Sequence, residues 1–172
     1  VVIVTEPNAA RACADAVAAA IHDAGIETVR LDLPSGEEAK RLEVIGTAAS
    51  TLARAGVERG DLIVAIGGGA LTDAAGMLAA TYLRGIDWIA MPTTLAGQLD
   101  ASLGGKTGVD LPEGKNLLGA FHQPRAVIAD LRALRSLPAR EIVAALGEAV
   151  KVAMLGDERL FALLESAADR LA

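Results

Sequence analysis

A glycine-rich turn directly after an apolar strand constrains the fold of this chain more than any other feature. Residues 62–66 are apolar throughout and predict a strand that is buried on both faces of a sheet. Gly67, Gly68 and Gly69 follow at once, and residues 70–82 have the pattern of a helix. Backbone N–H groups at such a helix N-terminus favour an anion. Because ligands bind at the carboxyl ends of parallel strands, we predict a phosphate-binding turn, with a plain tight turn as the alternative.

The first 135 residues repeat this alternation of strand and helix. Two further helices are predicted from Asn8 to Ala24 and from Glu38 to Ala55, each followed by a glycine. The predicted strands cover residues 1–5, 28–31, 62–66, 87–91 and 126–130. Such alternation is typical of a parallel sheet with helices on both faces. The sequence therefore predicts an α/β fold with a Rossmann-like parallel-sheet domain over residues 1–135.

Residues 136–172 differ in character and predict the start of a second, all-helical domain. Segments 139–152 and 158–171 are amphipathic, and nothing after Leu131 has the pattern of a strand. The chain begins inside a strand, without methionine, and the helical domain looks unfinished. We therefore expect it to be a fragment of a longer protein.

A second glycine-rich segment, residues 104–121, carries Lys106, Lys115 and Asn116. Glycine lets the backbone approach a ligand closely, and lysine supplies a point charge for a phosphate or carboxylate. Asparagine adds both donors and an acceptor. The combination favours a site for a polyanionic small molecule over a solvated surface turn.

Charge and cysteine content narrow the class of protein. The net charge is −6, which opposes nonspecific binding to nucleic acid. No apolar run reaches the length of about 18 residues that a membrane span needs, so we expect no membrane partner. The single cysteine, Cys13, excludes an intrachain disulfide and fits a cytoplasmic protein. Its alanine-rich surroundings predict a buried, inert thiol.

Eight short motifs follow one another along the chain. They are residues 36–40 (GEEAK), 67–73 (GGGALTD), 80–85 (ATYLRG), 92–95 (PTTL), 98–100 (QLD), 104–108 (GGKTG), 114–121 (GKNLLGAF) and 147–151 (GEAVK). Over residues 1–165 the set closely resembles the 3-dehydroquinate synthase family. The resemblance implies an enzyme of the shikimate pathway to aromatic amino acids that uses NAD and a divalent metal, zinc or cobalt. It would convert 3-deoxy-arabino-heptulosonate 7-phosphate, a phosphorylated sugar acid, into 3-dehydroquinate and phosphate, and the complete enzyme would be a homodimer.

The resemblance also implies roles for individual residues. Glu37 and Lys40 would lie near the adenosine ribose of NAD, and Arg84 would reach the substrate phosphate, within the chain or across a dimer interface. Glu148 would be a metal ligand. The other cofactor contacts would be Gly68, Gly69, Asp73, Thr93, Thr94 and Lys115, and the other substrate contacts would be Asp100, Lys106, Asn116 and Lys151.

Several of these residues also have plainer interpretations. Glu148 and Lys151 are three residues apart on a predicted helix, so they could form an ordinary surface ion pair. Asp100 lies between leucines, where a carboxylate needs a partner. The two histidines, His22 and His122, are interpreted as packing or surface residues, which leaves Glu148 as the one candidate metal ligand. We therefore expect an incomplete metal site and no activity from this chain alone.

Three alternatives to a 3-dehydroquinate synthase remain open at this point. The first is another sugar phosphate cyclase, although those relatives tend to alter residues 104–108. The second is a metal-dependent polyol dehydrogenase, which would share the turn at 67–69 and lack segment 104–121. The third is a noncatalytic NAD-binding module.

Overall fold

The computed structural model describes the backbone of residues 1–171 and the side chains of residues 1–168. Its described strands are β1 (Val2–Thr5), β2 (Val29–Asp32), β3 (Leu62–Gly67), β4 (Asp87–Pro92), β5 (Lys106–Leu111), β6 (Gly114–Phe121) and β7 (Ala126–Val127). A five-stranded sheet has the order β2–β1–β3–β4–β7, and every neighbouring pair in it is parallel. The predicted α/β fold with a parallel sheet is confirmed.

Helices connect the strands. They are α1 (Pro7–Ala9), α2 (Asp15–Asp23), α3 (Leu42–Arg54), α4 (Gly69–Thr81), α5 (Ala139–Gly156) and α6 (Glu158–Leu171). A π-helical stretch, Ala10–Ala14, joins the first two, and a second one covers Gly97–Ala101. Short 3-10 turns occur at Gly36–Lys40, Tyr82–Arg84 and Leu131–Ser136.

The central strand β3 is buried on both faces, as its unbroken apolar run predicts. Ile63 and Ala65 face a core layer that includes Leu71 and Leu78 of α4. Val64 and Ile66 face the opposite layer, where they pack with Ala14 and with side chains of α2. The alternation follows from the two-residue period of a strand.

Three predicted elements differ from the structure at their ends. The helix predicted from Glu38 begins at Leu42, because Arg41 is extended and its backbone bridges to Asp110. The strand predicted at 126–130 ends at Val127, because Asp130 accepts a hydrogen bond from the Arg132 N–H and caps the 3-10 turn that follows. The first helix begins at Pro7 rather than after Asn8.

Residues 104–121, which the sequence indicated only as a glycine-rich loop, form an antiparallel hairpin of β5 and β6. Lys106 pairs with Phe121 and Leu111 pairs with Gly114. One face of the hairpin packs on α4: Val109 is fully buried, and Thr107 lies directly over Gly76. The hairpin therefore stands beside the parallel sheet as a separate two-stranded layer.

The C-terminal segment is helical, as predicted, with a break at Gly156 and Asp157 between α5 and α6. Only small residues of α5 are buried, namely Ala145, Ala149 and Ala153, whereas Met154 and Leu155 are exposed. None of the described helices combines the length and the apolar character needed to cross a lipid bilayer.

Candidate functional site

The turn after β3 forms one wall of a cleft of about 820 Å³. Gly68 and Gly69 leave room there that a side chain would fill: a Cβ on Gly68 would lie 3.2 Å from Thr94 Cγ2, and one on Gly69 would lie 3.0 Å from Ala101 Cβ. The first turn of α4 presents unpaired N–H groups and the positive end of the helix dipole to this cleft. Thr93, Thr94 and Glu37, all predicted cofactor contacts, also line it.

Glu6 is a residue of this cleft that the sequence reasoning missed. Its buried carboxylate accepts hydrogen bonds from the N–H groups of Asn8 (3.0 Å) and Ala9 (2.9 Å) and from the Ser35 hydroxyl (2.6 Å). Glu6 is thus the N-cap that the sequence assigned to Asn8. The signal was Pro7 directly after an acidic residue, because proline favours the first position of a helix.

A second cavity of about 560 Å³ lies between α4 and the hairpin. It brings together four predicted site residues that are far apart in sequence, and these are Asp73, Asp100, Lys106 and Asn116. The exposed ring of Phe121 forms part of its rim. Both cavities therefore adjoin α4, one at Gly69 and the other one turn further along at Asp73.

Lys40 is buried between three elements and holds them together. It is 3% exposed, and its ammonium group donates to Asp73 Oδ2 at 2.9 Å and to Asn116 Oδ1. Asp110 Oδ1 lies 3.7 Å away. The resemblance made both Lys40 and Asp73 cofactor contacts, and in the structure their side chains pair directly with each other.

Asp110 owes its position to an irregularity in the hairpin. Between the pairs Val109–Leu118 and Leu111–Gly114 there is one residue on β5 and three on β6. Such a bulge redirects side chains. The N–H of Asn116, whose φ is 58°, donates to Asp110 Oδ1 at 2.9 Å. That hydrogen bond, and then Lys40, hold the pKa of the Asp110 carboxyl below its ordinary value.

The pKa of the Asp73 carboxyl is shifted in the opposite direction, above its ordinary value. Burial raises the pKa of its carboxyl, and the hydrogen bond from Lys40 offsets part of that increase. Lys40 therefore keeps the charged form of Asp73 accessible in a partly desolvated place.

A line of alternating charges runs from the hairpin to α5. Lys106 Nζ lies 3.4 Å from Asp100, Lys151 Nζ lies 3.5 Å from Asp100 Oδ1, and Lys151 also pairs with Glu148. Asp100 thus has two lysine partners, although its side chain is 39% exposed and is not in the apolar setting that its leucine neighbours predicted. Glu148 and Lys151 form the ion pair expected from their spacing, and Glu148 raises the pKa of Lys151.

No three His, Cys, Asp or Glu side chains in the described part of the chain come together in a way that could hold a metal ion. Glu148 therefore stands as a single candidate ligand paired with a lysine. A catalytic zinc needs three protein ligands, so the described residues do not by themselves fit the metal that the resemblance implies.

Lys115 and Arg84 belong neither to the contacts around Lys40 nor to the line of charges that runs from Lys106 to Lys151. Lys115 is exposed and pairs with Glu37 at 3.0 Å, which joins the hairpin tip to the rim of the glycine cleft. Arg84 is exposed, has a φ of 67°, and follows the C-terminal end of α4, whereas the glycine cleft adjoins the N-terminal end. It lines neither of the two cavities.

His122 has a defined structural role. Its Nε2 lies 2.9 Å from the Ile86 carbonyl oxygen, and its own carbonyl accepts a hydrogen bond from Trp88 Nε1 at 3.1 Å. Its N–H donates to the Gly105 carbonyl at 2.8 Å. His122 thus fixes the end of β6 and the glycine turn that precedes Lys106.

The fold and site define a Rossmann-like α/β protein with a glycine-lined cleft at the start of α4 and a second cavity, lined by lysine and carboxylate side chains, between α4 and the hairpin. Residues 30–144 match the family model described as 3-dehydroquinate synthase N-terminal. The chain belongs to the 3-dehydroquinate synthase family.

Individual relatives agree with this membership. The chain is 48% identical to a 3-dehydroquinate synthase of Symbiobacterium thermophilum over 163 residues, which cover 95% of this chain and 46% of the relative. It is similar to the structure of 2-epi-5-epi-valiolone synthase from Streptomyces hygroscopicus subsp. jinggangensis, with NAD+ and Zn2+ bound (TM-score 0.91, 34% identity, 99% of this chain and 48% of that chain). It is also similar to 2-deoxy-scyllo-inosose synthase complexed with carbaglucose-6-phosphate, NAD+ and Co2+ (TM-score 0.81, 32% identity, 87% of this chain and 41% of that chain). The chain thus spans about half the length of the relatives it matches.

Proposed function

We propose that the complete protein is a 3-dehydroquinate synthase, which converts 3-deoxy-arabino-heptulosonate 7-phosphate into 3-dehydroquinate and phosphate on the shikimate pathway. The observation that carries the proposal is the adjacency of two cavities along α4. A glycine-lined cleft begins at Gly69, and a cavity with paired lysines and carboxylates begins at Asp73. A nucleotide in the first and a phosphorylated polyhydroxy acid in the second would meet on this helix.

The glycine cleft fits NAD, since Gly68 and Gly69 leave space that a Cβ would fill. When bound, NAD supplies the reversible oxidation of a substrate hydroxyl to a ketone. Within the proposal, the first N–H groups of α4 face the pyrophosphate, and Thr93, Thr94 and Glu37 line the same cleft. The exposed Lys115 would act beside the cofactor from the hairpin.

The second cavity can bind a substrate that carries both hydroxyls and anionic groups. Lys106 and Asn116 offer donors to carboxylate or hydroxyl oxygens, and Asp100 and Asp73 accept from hydroxyls. Lys151 would add a further cation through its contact with Asp100. Every charged group here already has an internal partner, so the cavity is preorganised rather than assembled by the ligand.

The metal belongs to the proposal only for the complete protein. Glu148 would be one ligand, and the others would come from outside the described residues. We assign no step to the metal on this chain. The 172-residue chain alone would therefore not turn over.

The proposal includes a cytoplasmic homodimer. The second cavity, the proposed substrate site, adjoins α4 at Asp73, about 12 Å along the helix from its last residue, Thr81, and Arg84 follows that end without lining the cavity. An exposed arginine in that position is better placed to reach the substrate phosphate of a partner subunit than that of its own. The single cysteine is consistent with a reducing compartment.

Joining this chain to the C-terminal half of the Symbiobacterium thermophilum relative provides the test. The fusion should release phosphate from 3-deoxy-arabino-heptulosonate 7-phosphate with NAD and zinc present, and the chain alone should not. In the fusion, Lys106→Ala should abolish turnover and leave NAD affinity unchanged. A fusion that binds NAD and zinc without forming 3-dehydroquinate would refute the proposed reaction. Parallel loss of NAD affinity in Lys106→Ala would refute the substrate role of that residue.

A further inference from the structure

Asn116 is held at both its side chain and its backbone by one pair of residues. Lys40 donates to Asn116 Oδ1, and the Asn116 N–H donates to Asp110 Oδ1 at 2.9 Å. Asp110 in turn lies 3.7 Å from the Lys40 ammonium group. The left-handed backbone at Asn116 (φ 58°) is one that asparagine tolerates better than most residues do.

The chemistry of lysine decides which way the amide faces. An ammonium group has three donors and no acceptor, so it can contact only the oxygen end of an asparagine amide. The oxygen and nitrogen of an amide are otherwise nearly interchangeable in shape. With Oδ1 on Lys40, the NH2 group is left for the cavity that Asn116 lines together with Lys106.

Lys40 is well suited to this task because it cannot move away easily. Its side chain is 4% exposed and is anchored by Asp73 at 2.9 Å as well as by the hairpin. Asp73 belongs to α4, which also begins at the glycine cleft. Lys40 thus ties the amide direction in one cavity to the helix that lines both.

We propose that Lys40 is a positioning residue that fixes the direction of the Asn116 side-chain amide, so that the second cavity offers an NH2 donor beside the Lys106 ammonium group. The cavity then selects an acceptor oxygen of its ligand, such as a carboxylate or hydroxyl oxygen, at this point. That the ligand is a sugar phosphate rests on the proposed function, whereas the direction of the amide does not.

The direct test is the NMR spectrum of the 15N-labelled 172-residue chain. The Asn116 NH2 signals are assigned by their loss in Asn116→Asp. Lys40→Met, which keeps the apolar stem, should shift these signals towards the values of a free asparagine and lower their heteronuclear NOE. Lys115→Met is the matched control, because it removes the adjacent lysine, which pairs with Glu37 instead. Unchanged Asn116 signals in Lys40→Met would overturn the proposal.

A second measurement covers the case in which Lys40→Met does not fold. Asn116→Gly keeps the left-handed backbone at an exposed position and removes only the amide. The Lys40 ammonium signal should then exchange with water severalfold faster than in the parent chain. An unchanged exchange rate would overturn the proposal.

Ligand binding is scored separately, by titrating 3-deoxy-arabino-heptulosonate 7-phosphate into the fusion with the C-terminal half of the Symbiobacterium thermophilum relative and into its Asn116→Asp variant. Asn116→Asp keeps the contact with Lys40 and replaces the NH2 donor by an oxygen, so its affinity should fall by about tenfold or more. Equal affinity of the variant and the parent would overturn the donor role. A parent fusion that fails to bind, while the amide signals of the 172-residue chain respond as expected, would count against the proposed function and would support the role of Lys40.

Discussion

Gly76 provides a sharp test of how the hairpin is seated on α4. A Cβ at this position would lie 2.5 Å from Thr107 Cγ2 and 3.0 Å from two ring carbons of Trp88. Gly46, in the interior of α3, has nothing within 4 Å of the same hypothetical atom. Replacing each glycine by alanine therefore adds one methyl group to a helix interior, in a tight place and in an open one.

The two substitutions should have opposite effects on the free energy of unfolding. Alanine is preferred over glycine in a helix by about 1 kcal/mol, and Gly46→Ala should gain about 0.5–1 kcal/mol of this. Overpacking typically costs about 1–3 kcal/mol, and the β-branched Thr107 has little freedom to turn aside. The 2.5 Å approach to this stiff side chain places the cost in the upper part of that range, about 2–3 kcal/mol, so after subtracting the helix preference of about 1 kcal/mol, Gly76→Ala should lose about 1–2 kcal/mol.

Urea unfolding followed by the fluorescence of Trp88, the single and buried tryptophan, measures both effects. With a slope of about 2 kcal/mol per molar urea, the midpoint should fall by about 0.5–1 M for Gly76→Ala and rise by about 0.25–0.5 M for Gly46→Ala. Adding Thr107→Ser to Gly76→Ala removes the opposing methyl and keeps the hydroxyl that donates to the Ala120 carbonyl. The double variant should recover at least half of the loss. If Gly76→Ala is as stable as Gly46→Ala, the close approach of α4 and the hairpin is wrong.

Three further predictions concern single groups. Folding lowers the pKa of the Asp110 carboxyl, so the carboxylate stabilises the protein at pH values above its ordinary pKa of about 4. This contribution disappears as the pH falls through the lower pKa of the folded state. The difference in the free energy of unfolding between the parent and Asp110→Asn should therefore be present at pH 7 and vanish in acid. His122→Ala should lower the free energy of unfolding by about 1 kcal/mol through loss of the bond to the Ile86 carbonyl, whereas the exposed His22→Ala should leave it unchanged. Zinc titrated calorimetrically into the 172-residue chain should show no tight binding, because Glu148 is paired with Lys151; stoichiometric tight binding would mean that a metal site exists within this chain.

The parallel sheet could be predicted from sequence because each strand carries its own signal. Strands β1 and β3 are buried on both faces and are therefore apolar apart from the last residue of each, Thr5 and Gly67, which distinguishes them from the amphipathic helices between them. The hairpin could not be predicted in this way. Its strands contain glycine, lysine and asparagine, which are depleted in sheets, and β6 is exposed along most of its length. It is held by its contact with α4, a tertiary interaction that leaves no local pattern.

Residues of the candidate site could be proposed from the sequence, but the contacts between their side chains could not. Glycines after β3 and lysines in residues 104–121 indicate a binding function wherever the chain places them. The pairing of Lys40 with Asp73 and Asn116 joins residues that are 33 and 76 positions apart. A bulge, a break at Arg41 and a helix register together produce it, and none of these is visible as a spacing along the sequence.

The strand order has a consequence for how such a protein can change. After β1 the chain passes to the face of the sheet covered by α2, and after β3 it passes to the face covered by α4, although the two strands are neighbours. Connections that leave adjacent strands in opposite directions open a crevice between the carboxyl ends of those strands. Glu6, after β1, and Gly68, after β3, lie on its two sides. The position of the crevice is thus fixed by the path of the backbone and not by the side chains in it. Substitutions of the residues that line the crevice can therefore change which ligand binds, while the position of the binding site in the fold stays the same.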